Sequence, residues 1–387
     1  MTYHSLTRRS WIAAASAAAA AAALPALHLR AAAPVAEILE TKVITPPGWS
    51  YCGWPTVCRR ASGQLVATCS GGRVAHVCPF GQVQMLTSDD DGQTWSWPRT
   101  LLDGAIDDRD SGVLETAKGT LLVTTFTSLA YEPALAKANQ DKHWPAEKLA
   151  SWNAVNARLS ADARKKELGV WMIRSTDGGL TWSGRYDCLV NSPHGPIQLS
   201  DGRLLYAGKD LWRPGERVGV CESKDDGQSW QWLADIEPRK GDDHTEYHEL
   251  HAVETGDGRI LVQIRNHNKA NERETLQCES EDGGKTWSQP KAIGVWGLPS
   301  HLLRLRDGRI LMTYGHRRAP LGNQARVSTD QGRTWSKPIV LSGDGASGDL
   351  GYPSSVELSD GTLLTVWYEA MKGNPNSVLR QATWRLT

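Results

Sequence analysis

The chain has 387 residues, and 43 Lys or Arg balance 43 Asp or Glu, so the formal net charge is zero. This balance excludes a global positive field of the kind that attracts nucleic acid or acidic membranes. Hydrophobic residues make up 40% of the sequence and charged residues 22%, as in ordinary globular proteins. No segment beyond the N-terminal region approaches 18 apolar residues, so we expect a mature chain without a membrane span, and a monomer.

The N-terminus predicts an export signal over residues 1–33. The stretch Thr7-Arg8-Arg9-Ser10-Trp11-Ile12 precedes an Ala-rich apolar run that ends near Ala31-Ala32-Ala33. Paired arginines before such a run resemble a twin-arginine signal with a small-residue cleavage site. An N-terminal membrane anchor is the alternative, and His28 and Arg30 favour cleavage because they interrupt the run. We therefore expect a periplasmic or secreted mature domain over residues 34–387.

Five copies of one eight-residue pattern, S-x-D-x-G-x-[ST]-W, organise the chain. They begin at Ser88, Ser175, Ser223, Ser280 and Ser328. Each copy follows a short β-like run, so its Asp and Gly fall where a tight hairpin turn needs them. An internal repeat of about 50 residues indicates a propeller or a solenoid.

A second pattern, a turn glycine followed by an apolar strand, occurs six times. The glycines are Gly63, Gly119, Gly202, Gly258, Gly308 and Gly361. Five of these units continue into the eight-residue pattern, whereas the sixth ends with Val378 to Leu386 and has none. We expect Ala36 to Ile44 to supply its missing strand, because such closure removes exposed sheet edges.

The eight-residue pattern resembles the Asp box of the sialidase (neuraminidase) superfamily of β-propellers. With the six turns, this resemblance implies an all-β fold, a six-bladed β-propeller, with five or seven blades as the alternative. The blades are expected near residues 54–102, 112–192, 194–238, 248–295, 300–341 and 353–386. We expect each box Asp to hydrogen-bond its own turn rather than to hold calcium, and we expect no metal and no cofactor.

One spacing predicts an insertion in blade 2. The first and second boxes begin 87 residues apart, against 48 to 57 elsewhere, and the excess falls in residues 129–168. Trp152, Val155 and Leu159 share one helical face, so the insertion is expected to be helical. It would overhang the mouth of the propeller, either as a lid or as a packing spacer. The side chains that a lid would contribute are His143, Trp144 or Trp152.

The six turns also predict which side chains face the central funnel. If the turns are equivalent, the residue nine positions before each glycine begins an innermost strand. These residues are Trp54, Asp110, Pro193, Glu249, Pro299 and Tyr352. Three of them can do chemistry, and we expect Asp110, Glu249 and Tyr352 to converge although they are more than 100 residues apart in sequence.

The resemblance to sialidases implies a role for each of these three residues. In that superfamily a Tyr polarised by a Glu attacks the anomeric carbon, and a separate Asp serves as general acid and base. Tyr352 matches the nucleophile and Glu249 its base, because a phenol with a pKa of about 10 needs a carboxylate to take its proton. The simpler alternatives are a core phenol bonded to a rim carbonyl for Tyr352, and a salt bridge to a funnel Arg for Glu249.

The superfamily also grips a substrate carboxylate with three Arg, because a guanidinium fork matches a carboxylate in geometry and charge. The substrate-binding residues that the resemblance implies are Arg73, Arg265, and either Arg317 or Arg318. It further implies that Glu369 steadies this Arg cluster.

Two positions depart from the superfamily's pattern. The first blade reads Cys52-Gly53-Trp54-Pro55 where an Arg-Ile-Pro motif is normal, so the first Arg is absent and Arg109 is its expected replacement. His76 stands where the acid/base Asp would be, so either His76 or Asp110 supplies the proton. We favour Asp110, because neighbouring carboxylates would raise its pKa. Trp54 and His194 are expected to complete the substrate-binding surface.

The sequence therefore predicts an exported glycoside hydrolase that removes a terminal acidic sugar, sialic acid or a related one, from an anionic glycan. The first alternative is a lyase or hydrolase of uronic-acid-containing polysaccharide, with His76 or His194 and Tyr352 handling protons. The second is a non-catalytic carbohydrate-binding propeller, because a fold alone does not determine function.

Overall fold

The computed structural model describes residues 36–386, and the predicted export signal lies outside this range. Within that range the strands form six antiparallel sheets, five of four strands and one of five. The prediction of an all-β, six-bladed propeller is confirmed, and the alternatives of five and seven blades are wrong.

The described chain opens with β1 (Ala36–Val43), which belongs to the last blade. The strands of blade 1 are β2 (Tyr51–Arg59), β3 (Leu65–Arg73), β4 (Gln82–Ser88) and β5 (Arg99–Leu102). Those of blade 2 are β6 (Asp107–Arg109), β7 (Val113–Glu115), β8 (Leu121–Ser128), β9 (Val170–Ser175) and β10 (Tyr186–Asp187). Those of blade 3 are β11 (Ile197–Gln198), β12 (Leu204–Lys209), β13 (Val218–Ser223) and β14 (Gln231–Asp235).

A short 3-10 helix, His244–Glu246, leads into blade 4. The strands of blade 4 are β15 (Tyr247–Glu254), β16 (Ile260–Asn266), β17 (Glu274–Ser280) and β18 (Lys291–Trp296). Those of blade 5 are β19 (Ser300–Arg304), β20 (Ile310–His316), β21 (Gly322–Ser328) and β22 (Ile339–Ser342). Blade 6 contains β23 (Leu350–Glu357), β24 (Leu363–Ala370) and β25 (Ser377–Leu386).

The propeller closes by pairing the first described strand with the last. Strand β1 runs antiparallel to β25, from Ala36 opposite Leu386 to Val43 opposite Arg380. Blade 6 thereby gains its fourth strand, and the predicted closing strand is confirmed. Because the first and last described strands are paired in one sheet, the ring of blades has no open edge at this point.

The Asp boxes are turns that satisfy their own polar groups. In the fourth box, Ser280 Oγ accepts the backbone N–H of Gly284 at 2.9 Å. The Asp282 carboxylate accepts the backbone N–H of Thr286 at 2.9 Å and its hydroxyl at 2.7 Å. The indole N–H of Trp287 donates to the Gly284 carbonyl at 3.0 Å. These bonds occupy the carboxylate within the turn, as the sequence led us to expect.

The insertion in blade 2 is helical, as predicted. Its helices are α1 (Glu132–Asp141), α2 (Ala146–Asn156) and α3 (Ala161–Lys166). Ser160 caps α3 by accepting the backbone N–H of Ala163. Within residues 36–386, every helix is too short or too polar to cross a membrane.

Trp152 of α2 does not overhang the mouth. It is 2% exposed, and its ring packs edge to face against Phe80 of blade 1 and Tyr131, with centroids 6.2 and 6.4 Å away. Trp144 packs on it at 4.6 Å. The lid prediction is therefore wrong for Trp152, because the apolar face of α2 is buried against blade 1.

Candidate active site

Four of the six predicted funnel residues share an unusual backbone conformation. Trp54, Asp110, Glu249 and Tyr352 have φ values of 55°, 45°, 44° and 54°. The inner ladders of blades 1, 4 and 6 shift register around three of them, and Asp110 lies in the gap between β6 and β7. A left-handed φ is costly for such residues and clusters at functional sites. The same strained bulge thus occurs in four blades, and each bulge places one side chain at the mouth.

Tyr352 and Glu249 form a hydrogen-bonded pair at this mouth. The Tyr352 hydroxyl donates to Glu249 Oε1, and Arg265 Nη1 donates to Tyr352 Oη at 3.0 Å and to Glu249 Oε2. Tyr352 is 4% exposed. Arg265 Nε also donates a hydrogen bond to His267 Nε2 at 2.8 Å, which fixes the guanidinium. Glu249 therefore forms both the salt bridge to an Arg that we considered as an alternative and the predicted hydrogen bond with Tyr352.

The charges of this pair follow from its surroundings. Burial raises the pKa of Tyr352 well above its usual value, and the Glu249 carboxylate raises it further. Burial alone would raise the pKa of Glu249, but Arg265 and the hydrogen bond from Tyr352 outweigh it and lower that pKa. At rest the pair is a neutral phenol beside a carboxylate, which is the state that a base-assisted nucleophile requires.

Asp110 lies buried in the same neighbourhood. Burial, and then the charge of Glu249, raise the pKa of Asp110 to about 7, although Arg109 opposes the shift. A carboxyl group with this pKa exists in both protonation states at neutral pH, as a general acid and base must.

His76 belongs to a second cluster, which the sequence analysis missed. Its Nδ1 lies 2.7 Å from Asp349 Oδ1. The hydroxyls of Tyr51 and Tyr368 donate to the same carboxylate at 2.9 and 3.1 Å. These bonds lower the pKa of Asp349 although its burial would raise it. The side chain of His76 is 48% exposed, so Asp349 orients a half-exposed ring.

The structure corrects the predicted roles of Arg73 and Trp54, and it places Arg109 beside them. Arg73 is fully buried and pairs with Asp107 at 2.6 Å, so its guanidinium is not available to a substrate. Arg109 lies 3.6 Å from Asp107. Both guanidinium groups stack on the ring of Trp54, 4.5 Å from its centroid for Arg109 and 4.9 Å for Arg73. Trp54 is 1% exposed and therefore forms the floor of the mouth, not a sugar platform.

Of the predicted Arg, Arg265 and Arg317 lie beside Tyr352. Arg265 and Arg317 line a cavity of about 360 Å³ together with Arg273 and Trp296. The Arg317 guanidinium donates to the Leu350 carbonyl at 2.9 Å and lies 5.9 Å from the Tyr352 ring centroid. Of the two candidates for the third Arg, the structure therefore favours Arg317. The alternative, Arg318, is exposed and stacks on Trp296 at 3.6 Å.

Glu369 and His194 also lie away from the predicted site. Glu369 is buried and forms its ion pair with Arg380, so it does not steady Arg265 or Arg317. His194 is 2% exposed and is packed deeper in the channel against His251 and His301, with ring centroids 5.4 and 5.1 Å away. His194 instead lines a separate cavity of about 310 Å³ with His251 and His301.

One group beside the mouth has metal-ligand chemistry. Glu246, His248 and His267 hold ligand atoms within 4.8 Å of one another. His267 Nε2 already accepts the Nε–H of Arg265, so the proton of neutral His267 lies on Nδ1. His267 then has no free lone pair for a metal, and the adjacent guanidinium opposes a cation. This group fits a metal poorly.

A model of the BNR repeat-like domain matches residues 142–365, which is more than half of the chain. This protein belongs to the BNR repeat-like propellers of the sialidase superfamily. A sialidase from Micromonospora viridifaciens is 26% identical over an alignment of 211 residues, which covers 44% of this chain and 31% of that protein. The aligned region is thus about a third of that relative's length.

Solved structures show the same superfamily fold. A protein of unknown function from Dyadobacter fermentans has a TM-score of 0.72 at 23% identity, covering 91% of this chain and 99% of its own. A Hadza microbial sialidase has a TM-score of 0.64 at 18% identity, covering 88% and 68%. A mutant of the NanB sialidase from Streptococcus pneumoniae has a TM-score of 0.64 at 15% identity, covering 89% and 71%.

Proposed function

We propose that this propeller is an exported glycoside hydrolase that removes a terminal acidic sugar from a glycan by a sialidase-type mechanism. The observation that carries the proposal is the hydrogen bond from Tyr352 to Glu249 at the mouth, with Arg265 bridging both. The twin-arginine-type N-terminus supports export to the periplasm or beyond.

In the proposed first step, Tyr352 Oη bonds to the anomeric carbon as the bond from that carbon to the glycosidic oxygen breaks. Glu249 takes the phenol proton, and the leaving oxygen receives a proton from a general acid. In the second step the acid, now a base, removes a proton from water, and water displaces Tyr352. The phenol regains its proton from Glu249, so the enzyme returns to its starting state.

We assign the general acid and base to His76, oriented by Asp349. A half-exposed imidazole whose Nδ1–H is held by a carboxylate presents its Nε2 to a ligand in a defined direction. Asp110 is the competing candidate because its pKa is raised to about 7. Asp110 is only 5% exposed, however, whereas the half-exposed ring of His76 can reach a leaving group on the solvent side. The expectation from the sequence, which favoured Asp110, is thus replaced by a proposal that favours His76.

We propose a negatively charged substrate, because the guanidinium groups of Arg265 and Arg317 flank Tyr352. The sequestration of Arg73 by Asp107 leaves fewer free guanidinium groups than the three of the superfamily pattern. This difference supports a second candidate, a hydrolase or lyase directed at a uronic acid, whose carboxylate lies on a different ring carbon from that of a sialic acid.

A panel of chromogenic sialosides and uronides, tested with wild-type protein and Tyr352→Phe, distinguishes these functions. Sialoside turnover that collapses in the variant supports the proposal. Cleavage of uronides alone, or an unsaturated product absorbing in the near ultraviolet, supports the second candidate. Binding of acidic glycans with no turnover of any compound would overturn both and indicate a carbohydrate-binding propeller.

A further inference from the structure

The helical insertion of blade 2 packs directly on the loop that carries His76. This loop, residues 74–81, joins β3 to β4 and contains no helix or strand of its own. Cys78 of the loop is fully buried in one apolar cluster with Tyr131, Leu135 and Trp152 of the insertion. Phe80 lies at the edge of that cluster, with its ring 6.2 Å from that of Trp152.

Propeller residues hold the same loop from the other side. Arg73 Nη2 donates to the carbonyl of His76 at 3.0 Å, and Arg73 is itself fixed by Asp107. Asp349 of blade 6 fixes the ring of His76. The loop is therefore clamped between the propeller and the insertion.

The insertion is braced well enough to act as one body. Arg164 of α3 donates to Glu132 of α1 at 2.6 Å, to the Asn156 carbonyl of α2 at 2.7 Å and to the Leu159 carbonyl at 2.6 Å. Arg164 thereby ties the three helices together. The apolar cluster with the loop is the contact through which we expect the insertion to act on the mouth.

We propose that the insertion is a positioning device for the general acid and base, with Trp152 and Phe80 as its positioning residues. The proposal rests on the role of His76 in the proposed function. Val74, Phe80 and Trp152 also line a cavity of about 720 Å³ between α2 and blade 1. Truncation of Trp152 enlarges that space, so the loop can relax into it and carry His76 away from Asp349. A shift of about 1 Å in a catalytic group costs up to about 100-fold in rate.

The test compares Trp152→Ala and Trp152→Phe with Trp384→Ala, which removes a fully buried Trp from blade 6. Two readouts are the ring tautomer of His76, from ¹⁵N NMR of histidine-labelled protein above pH 8, and kcat and KM for a cleaved glycoside. We expect the wild-type proton on Nδ1, facing Asp349. Trp152→Ala should mix the tautomers and lower kcat about 10- to 100-fold with KM nearly unchanged. Trp152→Phe should keep the wild-type tautomer of His76 and a kcat close to that of wild type. Trp384→Ala should leave the tautomer and kcat unchanged.

A folded Trp152→Ala protein with an unchanged His76 tautomer would overturn the proposal, whether or not its kcat has fallen. If Trp152→Ala does not fold, the same two measurements are made on Phe80→Leu, and we expect it to mix the tautomers of His76 and to lower kcat. The tautomer also separates this proposal from the proposed function. If wild-type protein cleaves no glycoside, the proposed function fails, while the tautomer still reports whether the insertion holds His76.

Discussion

The two depths of the central channel use the same innermost strands for opposite purposes. At the mouth, Glu249 and Tyr352 are charged or polar partners on strained backbone. Two residues further along β15, His251 joins His194 and His301 in a stack of buried imidazoles, with the His251 and His301 centroids 4.6 Å apart. Charge and backbone strain are thus concentrated at the mouth, where function is expected.

The three histidines of the deeper layer are kept neutral by their burial, and they form hydrogen bonds as neutral rings. His251 Nδ1 accepts the backbone N–H of Leu302 at 2.9 Å. His194 donates to the Thr56 hydroxyl at 3.2 Å, and that hydroxyl donates to the Pro193 carbonyl. Burial lowers the pKa of all three histidines, that of His301 to about 3. The histidines differ by depth: His76 at the mouth is half-exposed beside a carboxylate, whereas the deeper three are buried and packed on one another.

The largest expected effect is at the mouth. Tyr352→Phe removes the nucleophilic oxygen and should lower kcat/KM by at least about 10³-fold without unfolding the protein. Tyr206→Phe is the matched control, because Tyr206 is a buried phenol bonded to the backbone of Ser192. A Tyr352→Phe enzyme that retains a tenth of the wild-type kcat/KM would show that the mouth is not organised around this phenol.

A somewhat smaller effect should identify the proton donor. His76→Asn should lower kcat/KM about 10²- to 10⁴-fold for a natural glycoside, and far less for an aryl glycoside whose leaving phenol is acidic. Asp110→Asn should show no such dependence on the leaving group. If Asp110 is the donor instead, that dependence moves to Asp110→Asn. Wild-type activity would then decline as the pH rises through about 7, because the acid form of Asp110 is lost there.

A substitution in the deeper layer should change the unfolding free energy rather than kcat/KM. Each histidine with a lowered folded pKa destabilises the fold as the pH falls below its unfolded pKa of about 6.5, because the unfolded chain binds the proton. His251→Asn keeps an acceptor for Leu302 and removes one such group. Between pH 6 and 4 its unfolding free energy should therefore fall less steeply than that of wild type, by up to about 1.4 kcal/mol per pH unit.

Denaturant unfolding at several pH values measures this difference. The comparison with wild type is needed because Asp108 and Asp110, whose folded pKa values are raised to about 7, contribute the opposite slope. Parallel curves for the two proteins would show that His251 does not titrate on unfolding.

The smallest expected effect is in the Asp boxes. Asp282→Ala removes four hydrogen bonds from an exposed turn, which the carboxylate accepts from Ser280, Lys285 and twice from Thr286. The substitution should cost about 1 kcal/mol of unfolding free energy, with kcat/KM unchanged. Glu281→Ala, in the same turn, is the control and should be neutral. Loss of activity in Asp282→Ala would mean that the outer turns are coupled to the mouth.

The fold and part of the site were predictable because they repeat. Five boxes and six turn glycines determined the number of blades, and counting back nine residues found all four strained positions at the mouth. The closing strand followed from the missing box of blade 6. A repeat supplies several copies of each pattern, so equivalent positions in different blades can be found by aligning the copies.

The other half of the site depends on contacts that leave no local pattern. His76 and Asp349 are 273 residues apart and meet only because blade 6 closes beside blade 1. Arg73 occupies a rim position that suggests substrate binding, yet Asp107 of the next blade buries it. Glu369 was misassigned for the same reason, since Arg380 lies on the neighbouring strand. Ion pairs between elements require the fold before they can be assigned.

Identification of the covalent intermediate tests the proposed mechanism most directly. A glycosyl fluoride of the cleaved sugar, with a second fluorine beside the anomeric carbon, slows the second step more than the first and lets the intermediate accumulate. Mass spectrometry of the digested protein should then find one sugar on the peptide that contains Tyr352, and none on Tyr352→Phe. A sugar attached to Glu249 or Asp110, or turnover without any adduct, would contradict the assignment of Tyr352 as the nucleophile.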